Sequence, residues 1–141
     1  MKKNIKRFMS IAFLLVIIIN FGYPVYAYDY PVLYNEGEPN NSESTAHAMS
    51  TNTYVVGHLK NGDVDFFKFT PDTYTRVKIY HEGISNVDMM VKIKEDNREL
   101  INGKGSIEFS ASPYKTYIIR LTPRAPYSVD SDYSLYIDSV D

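Results

Sequence analysis

The chain after residue 53 is dominated by short stretches in which apolar and polar residues alternate. This period of two is typical of β-strands with one buried face. The stretches are rich in β-branched or aromatic residues and are bounded by Gly, Pro, Asn or Asp. The seven strands predicted in this way are residues 53–59, 64–69, 74–81, 88–94, 106–110, 115–122 and 132–137. No segment between them is long enough for a crossover helix, so the pattern predicts an all-β fold, an antiparallel jelly-roll-like β-sandwich of about seven or eight strands.

Alternation also assigns one face of each strand to the core. The residues predicted to point inward are Phe67, Phe69, Val77, Ile79, Met89, Val91, Ile93, Tyr117, Ile119, Leu121, Tyr133, Leu135 and Ile137. The opposite face is mostly charged, but it also carries four large apolar or aromatic side chains, Phe66, Tyr80, Met90 and Tyr136. We interpret these four as a candidate ligand-binding stripe. The competing interpretation is structural, because tyrosine is a good strand former and is often half-buried.

The chain before these strands has two different parts. Residues 1–7 carry four basic side chains and are followed by an apolar run of about 12 residues, which is shorter than a membrane span. This pattern predicts a signal peptide, residues 1–27, cleaved after Ala27. The alternative is an uncleaved anchor, which Gly22 and Pro24 disfavour. Residues 28–52 are polar and turn-rich, and they predict a loop with a short helical turn at residues 46–49, capped by Ser42 or Ser44.

Cleavage leaves a single domain, residues 28–141, with no stable membrane anchor, and it predicts a secreted protein that is extracellular or associated with the cell wall. The mature chain holds 11 Lys and Arg against 17 Asp and Glu, a formal charge of −6, so nucleic acid is not an expected partner. There is no Cys, so disulfides contribute nothing to stability. Stability must therefore come from a packed core or a bound metal.

Oxygen-bearing side chains cluster at two places, of the kind that a hard cation such as calcium prefers. They are Glu36, Glu38, Asn40 and Asn41 in the N-terminal loop, and Asp63 and Asp65 in the turn that enters the second predicted strand. Gly37 and Gly62 allow the backbone to turn tightly there. The spacing does not match an EF-hand loop, and a merely solvated acidic surface is the alternative interpretation.

Several motifs in order resemble the bacterial pre-peptidase C-terminal domain, a family that includes the collagen-binding domains of clostridial collagenases. They are EGEPNNS at 36–42, Ala46, GHL at 57–59, GDVDFFKF at 62–69, VDM at 87–89, YIIR at 117–120 and DYSLYI at 132–137. The resemblance covers residues 34–138. It implies an all-β sandwich in which a calcium site joins the N-terminal segment to the sheet, and we predict a structural role for the ion. The best matches to the family's ligands are Glu36, Glu38, Asn40 and Asp65, followed by Asn41, where the family often has Asp, and Asp63.

The sequence predicts a binding protein and not an enzyme. His47, His58 and His81 lie in no catalytic motif, and the paired carboxylates Asp63 and Asp65 are a minor candidate for general acid and base. Domains of this family usually follow a secreted peptidase, whereas no peptidase is encoded in this chain. The expected partner is an extracellular matrix or cell-wall polymer or a collagen-like protein. The alternative is a dedicated protein partner, with the chain acting as an inhibitor, immunity factor or accessory protein of a secreted protease.

Overall fold

A computed structural model describes residues 32–103 and 105–140 of the chain. The predicted signal peptide and its cleavage site lie outside these residues. The described chain forms ten strands: β1 Val32–Asn35, β2 His47–Ala48, β3 Thr53–Lys60, β4 Asp65–Phe69, β5 Thr75–Glu82, β6 Val87–Ile93, β7 Arg98–Asn102, β8 Ser106–Ala111, β9 Tyr117–Pro123 and β10 Asp130–Ser139. None of these residues is helical, so this part of the chain contains no helix able to cross a membrane.

The strands form two five-stranded sheets, and the predicted β-sandwich is confirmed. The first sheet has the order β1-β3-β10-β5-β8, and the second has the order β2-β4-β9-β6-β7. Neighbouring strands are antiparallel as predicted, except at the two short N-terminal strands, where β1 pairs parallel to β3 and β2 pairs parallel to β4. Each N-terminal strand therefore protects one edge of a sheet.

Three of the strands were not predicted, and the predicted helical turn is wrong. The additional strands β1, β2 and β7 bring the number to ten. Residues 42–45 form a tight turn, in which Thr45 N donates to Ser42 O at 3.1 Å. His47 and Ala48 then pair with β4 where a helical turn was expected. The open edge of β4 offers backbone hydrogen bonds that outweigh the weak local preference for a helical turn.

The core lies between the two sheets, where the predicted inward faces meet. All thirteen residues predicted to point inward are 2% exposed or less. Val55 and Leu59 on β3 and Val87 on β6 complete the same cluster. Aromatic rings pack across the layer, with Phe67 and Tyr133 in an edge-to-face contact at 6.4 Å. This burial confirms the predicted inward-facing side of each strand.

The outer faces of the two sheets differ. On the second sheet, Met90 and Ile118 point outward by alternation but are buried. The N-terminal segment lies against this face: Ala46 is buried, and Glu43 Oε1 forms an ion pair with Lys92 Nζ at 2.5 Å. The outer face of the first sheet carries half-buried aromatic rings instead and has no such ion pair to the N-terminal segment among the described residues.

Candidate metal centre

The candidate metal centre lies where the N-terminal segment passes from the first sheet to the second. Glu36 N donates to Val56 O at 2.9 Å, which continues the pairing of β1 with β3. Four residues later, Asn40 O accepts from Phe66 N at 2.9 Å, which attaches the segment to β4. The backbone is thus held at both ends of the stretch from 36 to 40, and the side chains of this stretch face the first residue of β4.

Three carboxylates meet at this point. Glu36, Glu38 and Asp65 each offer an oxygen, and these oxygens lie within 4.8 Å of one another. Asp65 is fully buried, Glu36 is half-buried and Glu38 is exposed, so the cluster opens to solvent on the Glu38 side. Three negative charges at this separation repel one another strongly unless a proton or a cation lies among them.

Asn40 adds an amide to the cluster. Its side chain is fully buried. Its backbone N donates to Glu38 Oε2 at 2.9 Å, and its Nδ2 donates to Glu36 Oε2 at 3.2 Å. These two hydrogen bonds orient both glutamates and leave the amide oxygen Oδ1 without a hydrogen-bond partner. Asp65 Oδ1 is likewise buried and without a partner.

Tyr133 supplies the only hydroxyl that the described residues direct at this cluster. Its Oη lies 2.6 Å from Asp65 Oδ2 and 2.8 Å from Glu36 Oε2, so its single hydroxyl proton is divided between hydrogen bonds to the two carboxylates. Burial raises the pKa of Asp65 to about 7, the charges of Glu36, Asp63 and Glu38 add to the rise, and the Tyr133 hydrogen bond opposes it. Burial and the adjacent Asp65 also raise the pKa of Tyr133 far above its ordinary value.

The donor set fits a hard divalent cation. Glu36, Glu38, Asn40 and Asp65 offer oxygen ligands only, as calcium prefers. Burying two oxygens that accept no hydrogen bond costs folding free energy unless a cation binds them. The other two predicted ligands lie apart from this set. Asn41 is exposed, and Asp63 Oδ1 accepts from Val64 N at 3.0 Å while its charge acts on Asp65.

Gly57 and Tyr133 are parts of the site that sequence reasoning did not find. A Cβ on Gly57 would lie 2.5 Å from Glu36 Oε2 and 2.5 Å from the Tyr133 Cζ and Oη atoms, so a larger residue there would displace both side chains. His58 N, the next donor along β3, bonds Glu36 Oε1 at 2.8 Å. The glycine in the GHL motif was a usable signal for close backbone approach. Tyr133 carried no local signal beyond its inward position.

The three histidines have separate surroundings. His47 Nδ1 accepts from Gly37 N at 2.8 Å and so supports the loop of the metal centre. The His58 ring lies between Asp132 and Asp130, at 2.7 and 2.8 Å, and these hydrogen bonds raise its pKa. Burial lowers the pKa of His81, whose ring nitrogens have no hydrogen-bond partner.

The structure divides the four residues of the predicted ligand-binding stripe between the two sheets. Tyr80 on β5 and Tyr136 on β10 lie together on the first sheet, stacked with centroids 4.7 Å apart. Tyr54 on β3 extends this tyrosine ladder, 5.1 Å from Tyr136. Phe66 and Met90 flank β9 on the second sheet. They therefore belong to the opposite side of the sandwich, and the four do not form one stripe.

Comparison with solved structures finds proteins with a similar fold. The pre-peptidase C-terminal domain of a collagenase from Bacillus anthracis is 20% identical, with a TM-score of 0.56, and the match covers 65% of this chain and 93% of that domain. The fold is that of a pre-peptidase C-terminal domain. The predicted resemblance is thereby confirmed at the level of structure.

A second solved structure, a lysozyme inhibitor, matches an equal fraction of this chain. PliG from Aeromonas hydrophila, a periplasmic inhibitor of g-type lysozyme, is 11% identical with a TM-score of 0.50, and the match covers 65% of this chain and 96% of PliG. No family model matches the sequence, and no curated protein does. The likeness to both neighbours is therefore one of fold.

Proposed function

We propose that the chain is a secreted, non-catalytic binding module of the pre-peptidase C-terminal type, stabilised by calcium. The main support for calcium binding is a pair of buried oxygens that have no hydrogen-bond partner, Asn40 Oδ1 and Asp65 Oδ1. Both belong to the cluster that contains Glu36 and Glu38. A bound calcium ion supplies the positive charge that these four side chains lack. In the proposed site, Glu36, Glu38, Asn40 and Asp65 are the ligands.

Each ligand has a role that follows from its surroundings. Asp65 belongs to β4, whereas Glu36, Glu38 and Asn40 belong to the segment that connects the sheets. A shared ion would therefore attach this segment to the second sheet. Asn40 Nδ2 and Tyr133 Oη both donate to Glu36 Oε2, and these bonds hold the carboxylates in place before an ion arrives. Such preorganisation reduces the entropy lost on binding.

Calorimetric titration of the purified protein with CaCl₂ tests this site. We expect one ion per chain, and we expect Asp65→Asn to abolish the binding heat because it removes the buried charge. Asp72 is an exposed carboxylate in the turn after β4. The variant Asp72→Asn is therefore the matched control, and it should bind calcium as the wild type does. Equal binding by Asp65→Asn and the wild type would show that the ion sits elsewhere.

The proposed partner surface is the open outer face of the first sheet. Tyr54, Tyr136 and Tyr80 form a continuous ladder there, and Leu33 beside Tyr54 on β1 is 53% exposed. Asp138 accepts from Tyr80 Oη at 3.0 Å, and Lys78 Nζ lies 4.8 Å from the Tyr80 centroid. An apolar strip with a polar edge suits an extracellular protein or polymer.

A retention assay on insoluble collagen and on purified cell wall tests this surface. We expect the protein to sediment with one of the two, and we expect Tyr136→Ala, in the middle of the ladder, to lower the retained fraction at least fivefold. Tyr127→Ala changes an exposed tyrosine in the turn before β10 and should leave retention intact. Retention that Tyr136→Ala does not affect would remove the ladder from the proposal.

The likeness to PliG supports a second candidate function, inhibition of a wall-degrading enzyme. If the chain acts in this way, it should slow the clearing of a cell-wall suspension by g-type lysozyme, with full effect near one chain per enzyme. Unchanged clearing at a tenfold molar excess of the protein would eliminate g-type lysozyme as the partner. A catalytically inactive protein of similar size, added at the same excess, controls for nonspecific effects.

A further inference from the structure

Two tyrosines at one end of the sandwich are unusually exposed. Tyr74, just before β5, and Tyr114, between β8 and β9, are each 78% exposed. Their turns are joined, because Tyr114 N donates to Pro71 O at 2.9 Å. β4 runs from Asp65 at the metal centre towards this turn, so the two tyrosines lie at the end of the sandwich opposite the carboxylates.

The fold gains little from either ring. An aromatic side chain this exposed contributes little burial to stability. In addition, Tyr114 has a φ of 61°, in the left-handed region where residues with a large Cβ substituent are strained and glycine is favoured. Strain of this kind at an exposed aromatic residue points to a role outside the folded domain.

A groove of about 380 Å³ lies beside these turns, because Thr70, next to Pro71, and Thr116, two residues after Tyr114, both line it. Its polar groups are Lys68, Lys94, Thr70 and Thr116, and no carboxylate lines it. The two threonine hydroxyls are 3.0 Å apart. Neither lysine forms an ion pair with a described carboxylate. Both ammonium groups are therefore available to an anion, in a protein whose overall charge is negative.

Two carboxylates, Glu95 and Asp72, belong to the turns at this end of the sandwich, and neither lines the groove. Glu95, in the turn after β6, accepts from Thr116 N at 2.9 Å, and that bond and Lys115 hold the pKa of its carboxyl below the ordinary value. Its carboxylate is thus engaged by the turn that carries Tyr114. Asp72 is exposed in the other turn and does not line the groove.

We infer that the exposed tyrosines and the groove form a binding site for an acidic polysaccharide. Free tyrosine rings offer flat apolar faces on which the C–H face of a sugar ring can stack. The threonine hydroxyls match sugar hydroxyls, and the two lysines match carboxylate or phosphate groups as point charges. The site shares no residue with the metal centre or with the tyrosine ladder, so it does not depend on the proposed calcium binding.

Affinity electrophoresis of the purified protein tests the inference. Gels contain polygalacturonate, which bears carboxylates, phosphomannan, which bears phosphates, or neutral mannan. We expect at least one acidic polymer to retard the protein and mannan to leave it unchanged. Retardation should weaken severalfold when NaCl is raised from about 0.1 M to about 0.5 M, because salt screens the lysines. The more effective acidic polymer identifies the anionic group.

Variants make the test specific to this surface. Tyr114→Gly should lower the affinity at least fivefold while the melting temperature stays the same or rises, because glycine relieves the positive φ. The double variant Lys68→Gln, Lys94→Gln should lower it by a similar factor, and Tyr127→Ala should not. The inference is overturned if no acidic polymer retards the protein, if Tyr114→Gly retains full affinity, or if only proteins bind this end.

Discussion

We expect calcium at a hundredfold excess over its Kd to raise the melting temperature of the protein by about 10 °C, and we expect Asp65→Asn to abolish the rise. An ion that binds only the folded state at this excess stabilises it by about 2.7 kcal/mol. For a domain of this size, each kcal/mol corresponds to several degrees. The unfolded chain has no site, because Glu36 and Asp65 come together only when β1 and β4 are in place. Thermal unfolding followed by circular dichroism, with millimolar calcium or with chelator, measures the effect.

Two further variants define what the rise means. Asp72→Asn removes an exposed charge at the other end and should show the full rise. Glu38→Gln removes one charged candidate ligand and should reduce the rise. It should not abolish the rise as Asp65→Asn does, because solvent already screens the exposed Glu38 carboxylate. If the wild type melts at the same temperature in calcium and in chelator, calcium contributes nothing to stability.

Without metal, the free energy of unfolding should fall as pH rises from about 4 to about 7. Asp65 has a pKa of about 7 in the folded protein against an ordinary value of 3.8. Below 3.8 both states hold the proton, and above 3.8 only the unfolded state loses it, which favours unfolding. Above about 7 both states are ionised and the fall ends. The whole effect amounts to up to about 4 kcal/mol.

Urea unfolding in chelator at several pH values between 4 and 8 measures this dependence. Asp65→Asn keeps the shape of the side chain but cannot ionise, so the difference between the two proteins isolates the contribution of Asp65 from that of other titrating groups. Calcium should remove most of the fall, because it compensates the charge that burial disfavours. Parallel curves for wild type and Asp65→Asn in chelator would show that Asp65 ionises freely in the folded protein.

Alternation predicted the long strands and the core, because one buried face imposes a period of two on strands such as β3 and β4. It did not predict β1, which has four residues, or β2, which has two. Such short edge strands depend on the neighbour whose edge they cover. β7 was missed because its residues are mostly exposed and the alternation is weak.

The cluster of candidate ligands was predictable in its members but not in its support. Glu36, Glu38 and Asn40 are neighbours in sequence, and their spacing and resemblance to a known family gave the set that the structure brings together with Asp65. Tyr133 is 97 residues from Glu36 and 68 from Asp65, so no local pattern links them.

The predicted stripe of Phe66, Tyr80, Met90 and Tyr136 shows the limit of alternation. Alternation tells which side of its own strand a residue occupies, and it was correct for all four. It does not tell to which of two sheets the strand belongs, since that depends on pairings between distant segments. Tyr54 was left out because it lies on β3, far from Tyr136 in sequence, although the two rings stack.

The position of β10 determines when the domain can fold. This strand lies in the middle of the first sheet, where residues 130–137 pair with β3 on one side and residues 134–139 pair with β5 on the other. Until residues 130–139 have been synthesised, β3 and β5 have no partner between them, and Tyr133 is absent from both the core and the carboxylates. A growing chain therefore cannot close the sandwich before its last strand has been made, and the core should form in one late step and not strand by strand.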